Sequence, residues 1–96
     1  MTPNVPLPAG AMFADPWQEV GTGAPPWRAV AFLRRRIIGH DAQVSMSGIQ
    51  YAADSHVDDF QILVEGLECD YLNSDQAREL AAALLEAADE MDRRTR

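Results

Sequence analysis

The sequence predicts an α+β fold: a three-stranded antiparallel β-meander packed against one C-terminal α-helix, preceded by an irregular Pro-rich N-terminal arm. Three observations carry this reading. Residues 72–96, LNSDQARELAAALLEAADEMDRRTR, hold a helical apolar period. Residues 57–65 alternate apolar and polar side chains with the period of a half-buried strand. All six prolines fall within the first 26 residues, ahead of both. A chain of 96 residues supports one domain. The expected division is an arm over residues 1–26 and a βββα domain over residues 27–96.

The arm is not purely polar. It carries Val5, Leu7, Met12, Phe13, Trp17 and Val20. An irregular segment with that much apolar surface is expected to dock on its own domain; disorder, or extended docking on a partner through VPLP and APPW, are the alternatives.

Three strands should follow. Trp27 to Ile38 has helix-forming Ala, Leu and Arg behind two prolines, yet the next two segments are strands of similar length, which favours a matched strand over Ala29 to Ile38. Gly39 to Ala42 is the first turn. In Gln43 to Ala52, Val44 and Met46 alternate with Gln43, Ser45 and Ser47, and then Ile49 and Tyr51 take the opposite parity. A β-bulge at Gly48 would put all four apolar residues on one face. Ala53 to His56 is the second turn. In Val57 to Glu65, Phe60, Ile62 and Val64 alternate with Gln61, Leu63 and Glu65. Beyond Gly66, Leu67, Cys69 and Tyr71 would continue an apolar face after a bulge or tight turn.

The helix is expected from about Ser74 to Arg93. Asn73 is a good N-cap, and Gln76 stands where a capping box places its partner. Leu72 is placed to staple onto Ala77. Asp75 begins the helix and Arg93, Arg94 and Arg96 end it, in the order that suits the helix dipole. Asp89 with Arg93, and Glu90 with Arg94, form acid-before-base pairs. The apolar seam runs through Ala77, Ala81, Leu84, Ala88 and Met91, widened by Leu80, Leu85 and Ala87. Such a helix covers one face of the sheet. The apolar part of the other face then needs the arm or a second copy of the chain.

The tail resembles that of small actinobacterial and mycobacteriophage-type proteins. The likeness runs through Leu72, Gln76-Ala77-Arg78, Leu80-Ala81, Leu84 and Ala87-Ala88-Asp89, about a quarter of the chain. Asn73-Ser74 stands where those proteins have Thr-Pro. GIQYA at Gly48 to Ala52 is similar too. The resemblance implies a βββα domain of unknown role and carries no catalytic residues. The use of Arg without any Lys fits the coding bias of a high-GC genome.

Charge narrows the function. The net charge is −7, and from Asp54 to Asp92 twelve acids face one base, Arg78. Such a surface repels phosphates and favours a basic partner, or serves solubility alone. The single cysteine, Cys69, excludes an intramolecular disulfide. The N-terminus shows no signal-like pattern, and no apolar run approaches the roughly 18 residues of a membrane span, so a cytoplasmic protein is expected.

Chemistry-bearing motifs are not found. His40 and His56 belong to different turns, at opposite ends of the expected sheet. They share no zinc spacing with Cys69, and Asp54, Asp58 and Asp59 near His56 lack the spacing of an EF-hand loop. Ser45, Ser47, Ser55 and Ser74 have no nucleophile-elbow pattern, and the glycines form no phosphate loop. No catalytic, cofactor-binding or metal-binding residue is expected, and the chain is not expected to be an enzyme. Arg34, Arg35 and Arg36 form the one basic cluster outside the C-terminus, with Arg34 and Arg36 on one strand face and Arg35 on the other. With Trp17 and Trp27 they are the partner-binding candidates. The expectation is a small non-enzymatic protein-binding or regulatory domain whose partner is another protein or a second copy. The alternative is a nucleic-acid-associated regulator working through Arg34 to Arg36.

Overall fold

The computed structural model describes residues 3–19, 21, 23–67 and 71–95. The elements are β1 (Phe13–Ala14), β2 (Trp27–Arg36), β3 (Gln43–Tyr51), β4 (Val57–Glu65) and α1 (Ser74–Thr95). The strands form one antiparallel sheet in the order β1-β2-β3-β4. The meander and helix stand as predicted, but the sheet has four strands and not three. The extra strand comes from the arm. The outer edge of β2 would otherwise leave its backbone groups without partners. Phe13 and Ala14 pair with Ala31 and Val30. Met12 N–H donates to Ala31 O at 2.8 Å and Asp15 N–H to Ala29 O at 2.9 Å. Pro16 has no N–H, and pairing resumes only at the Gln18–Trp27 bridge.

Trp27 to Arg36 is a ten-residue strand despite its helix-forming composition. Its register on β3 slips between Ala31 and Leu33, leaving Phe32 as an extra residue. This bulge lets the consecutive Phe32 and Leu33 both be buried. It also moves Arg35 onto the helix side, opposite Val44.

The irregularity expected within β3 lies in its neighbour. Burial alternates without interruption along β3, so Val44, Met46, Gly48 and Gln50 face the core while Ile49 and Tyr51 take the other face. Ser47 pairs with Gln61 and Ile49 with Asp58, so Asp59 and Phe60 together oppose Gly48. Asp59 absorbs the bulge at φ 54°. The reason is steric. A Cβ on Gly48 would stand 2.9 Å from Val57 Cγ1 and 3.0 Å from Phe60 Cδ1, so these side chains fill the space that the glycine leaves. Gln50 then enters the interior, where it accepts from Arg28 Nε at 2.8 Å and donates to Pro6 O and Ser55 O at 3.3 Å. Its amide is satisfied, as a buried polar group must be.

The helix begins as its sequence dictates. Gln76 N–H donates to Asn73 Oδ1 at 2.8 Å, and Asn73 N–H to Gln76 Oε1 at 3.0 Å, a complete capping box. The buried centre of its contact is Ala83 and Ala87, flanked by Leu80, Leu84 and Met91. The expected seam is therefore rotated. Ala77 and Ala81 are exposed and Leu85 is 67% exposed. Alanines at the centre bring the helix backbone close to Val44 and Met46, a separation that a central leucine would not permit. The pairing expected of Asp89 with Arg93 is replaced by Glu90, which takes both Arg93 and Arg94.

That exchange creates a clamp. Arg94 lies 3.8 Å over the Phe32 ring, meets Glu90 at 2.7 Å and donates to Ala9 O at 3.1 Å. Arg28 holds Val5 O at 3.0 Å. The arm thus docks on its own domain, as expected, but along the β2 edge and the helix side. It does not cover the opposite face. Removing residues 1–18 strips β2 of its edge partner and Gln50 of one acceptor. The truncated chain is expected to lose at least about 1 kcal/mol, a drop of about 4–8 °C in Tm for a domain of this size. An unchanged Tm in a thermal melt would show that the arm's contacts contribute nothing.

The same clamp links stability to pH. The hydrogen bond from Arg93 holds the Glu90 carboxyl below its ordinary value of 4.5; burial opposes this, and Arg94 adds to it. A lowered folded value means that the stabilisation is complete above about 4.5 and is lost as pH falls through the folded value. Denaturant melts between about pH 3 and 7 should show wild type losing stability at the acid end. Glu90→Gln should start less stable at neutral pH and lose less on acidification. Parallel losses in the two chains would remove Glu90 from the account.

Beyond Gly66 the predicted apolar face does not continue. Leu67 is 39% exposed and Tyr71 is 96% exposed. The places expected for Cys69, Val20 and Arg96 lie outside the described residues.

Candidate interaction site

With helix and arm on one side, the other face of the sheet is uncovered among the described residues. Its middle is built from Ala29, Ala31, Ser45 and Ser47, so it is a shallow trough of about 210 Å³ between Phe13 on the β1 edge and Leu63 on β4. Phe13 is 38% exposed and Leu63 47% exposed. Arg34 stacks on Phe13 at 4.8 Å, and Glu65 lines the same trough.

The arginine triplet is divided. Arg34 stands opposite Ser45 and Arg36 opposite Gln43, whereas Arg35 stands opposite Val44. Arg35 forks onto the Glu86 carboxylate of the helix, with Nε to Oε2 at 3.0 Å. Both partners are about half exposed, so this pair adds little to stability. Arg36 lines a polar cleft with Ile37, Gly39, His40, Asp41 and Gln76. No single surface gathers the three side chains.

The two tryptophans are separated as well. Trp17 lies 4.3 Å from the guanidinium of Arg28, whose cross-strand partner is the buried Gln50. Trp27 pairs with Tyr51 and belongs to the uncovered face. There Trp27, Tyr51, His56, Pro25 and Asp54 line a mostly apolar cleft of about 400 Å³. The Tyr51 and His56 rings are 5.8 Å apart, inclined at 53°. His56 Nδ1 is 3.6 Å from Asp54 Oδ2, and Nε2 is 3.4 Å from Asp58 Oδ2. Tyr51 donates to Asp59 Oδ2 at 2.7 Å. That hydrogen bond, with lesser effects of burial and of the charges on Asp59 and Asp58, raises the phenol above its ordinary value of 10.0. Sequence reasoning did not find this cleft. Trp27 and Tyr51 are far apart in the chain, and only the β2–β3 register brings them face to face.

His40 and His56 occupy different turns, at opposite ends of the sheet. His40 Nδ1 accepts from Ala42 N–H at 2.9 Å, so its proton sits on Nε2, which is buried without a partner among the described residues. Among the described residues no group of three or more His, Cys, Asp or Glu side chains is placed to hold a metal ion. No described helix is long and apolar enough to cross a membrane. No protein-family model, curated protein or solved structure matches the chain.

Proposed function

We propose that this chain is a non-enzymatic protein-interaction domain that presents its uncovered sheet face to a protein partner, either another protein or a second copy. One observation carries the reading: the helix and the arm pack on the same side of the sheet, leaving Phe13 and Leu63 exposed on the other. A sheet face with exposed large side chains around a trough of small residues suits burial against another surface.

The test compares two substitutions of the same chemistry. Leu63→Arg alters the uncovered face, whereas Leu85→Arg alters the helix surface turned to solvent. Sedimentation equilibrium reads self-association, and affinity capture from a lysate of the source organism reads other partners. Association lost with Leu63→Arg and kept with Leu85→Arg is the expected result. Association unaffected by Leu63→Arg overturns the assignment of the face. A salt-sensitive duplex-DNA complex at or below about 10⁻⁶ M, abolished by replacing Arg34, Arg35 and Arg36 together with Ala, favours nucleic acid instead. The acidic balance of the chain speaks against that outcome.

A further inference from the structure

We propose that the cleft between Trp27 and Tyr51 receives an arginine side chain from the protein partner, which deepens and rests on the interaction reading above. The walls are aromatic and largely apolar, and the rim is acidic. Trp27 comes from the start of β2, Tyr51 from the end of β3, and His56 and Asp54 from the turn that follows. This combination distinguishes the place from the rest of the uncovered face, whose floor is alanine and serine.

Three properties select the ligand. The first is charge. Asp54 lines the cleft, and Asp58 and Asp59 contact two of its lining side chains, His56 and Tyr51. Among the described residues no arginine lines the cleft. The nearest one along β2, Arg28, belongs to the other face, where it is engaged by Gln50 and Trp17. A neutral apolar guest would fill the volume but gain nothing from the acidic rim.

The second property is the aromatic wall. A cation gains from the face of Trp above all, and of Tyr. The third is shape. A guanidinium is flat, so it stacks on a ring while its edge forks toward a carboxylate; it also sheds water more readily than an ammonium. Asp54 is the carboxylate that lines the cleft itself. The net charge of −7 would draw such a basic segment toward the chain before contact.

The test uses a small probe on the full chain. N-acetyl-L-arginine N-methylamide is titrated against labelled protein at about pH 8, above the ordinary range of an imidazole. The matched control is N-acetyl-L-citrulline N-methylamide, which has nearly the same shape and no charge. Saturable shifts of the Trp27 indole, Tyr51 and His56 signals are expected with arginine. Citrulline should bind about 2–5-fold more weakly or not at all. Asp54→Asn keeps a side-chain oxygen to accept from His56 N–H, which Asp54 Oδ1 meets at 3.0 Å, and should weaken arginine about 2–5-fold. Trp27→Phe should weaken it further while keeping an aromatic wall. Equal binding of arginine and citrulline, tighter binding of N-acetyl-L-lysine N-methylamide in a parallel titration, or no saturable shift overturns the proposal. The titration needs no partner. Its failure therefore leaves any Leu63-dependent association standing, and loss of that association leaves a positive titration standing.

Discussion

Phe32→Ala is expected to destabilise the chain by about 3–5 kcal/mol, the range for removing a buried aromatic ring. Phe32 is only 7% exposed. It is the extra residue of the β2 bulge, so its ring is pressed into the same layer as Leu33. Its centroid lies 5.9 Å from that of Phe60, and Arg94 covers it at 3.8 Å. Truncation opens a cavity beside Phe60 and removes the platform on which Arg94 reaches Ala9 of the arm. A domain this small has a total stability of about 5–15 kcal/mol, so the variant should be partly unfolded at ambient temperature if its stability lies at the low end. Urea melts give the measurement, with Phe32→Leu as the milder companion, expected to lose under about 1.5 kcal/mol because most of the volume remains. A loss below about 1 kcal/mol for Phe32→Ala would take the ring out of the core.

Gly66→Ala should be nearly as damaging, for a different reason. Gly66 adopts φ +82°, and a Cβ there would stand 2.3 Å from the carbonyl oxygen of Asp41 and 2.7 Å from its carbon. The left-handed backbone costs an L-residue about 1–2 kcal/mol, and forcing an atom against backbone that cannot rotate aside adds about 1–3 kcal/mol. Gly23 separates the two effects. It has the same φ of +82°, yet a Cβ there meets nothing within 4 Å. Gly23→Ala should therefore show the conformational cost alone, about 1–2 kcal/mol. Equal losses for the two variants would mean that the chain leaving β4 does not press on the β2–β3 turn.

Local chemistry was readable in the residues themselves. The capping box of Asn73 and Gln76 is a pattern of neighbours, and it forms as spelled. The alternation of Phe60, Ile62 and Val64 with Gln61, Leu63 and Glu65 sets the two faces of β4. The division of the arginine triplet between faces follows from the period of a strand. The partner-binding candidates, by contrast, were residue types without positions. Trp17 and Trp27 turned out to serve opposite sides, and Arg35 is held by Glu86 from 51 residues away.

Composition and period alone established the α+β class, the meander and the helix start. Packing between distant segments settled the rest. A bulge changes the parity of one strand relative to another, and whether it falls in β2, β3 or β4 depends on which side chains must share space; Phe60 over Gly48 placed it at Asp59. The helix rotated onto Ala83 and Ala87 because a sheet accepts the closest approach, which hydrophobicity along the helix does not specify. The arm became a strand because the β2 edge had hydrogen bonds to offer, a property of the sheet and not of the arm. The cleft of Trp27 and Tyr51 exists for the same reason: register is a relation between strands, and neither strand's residues contain it.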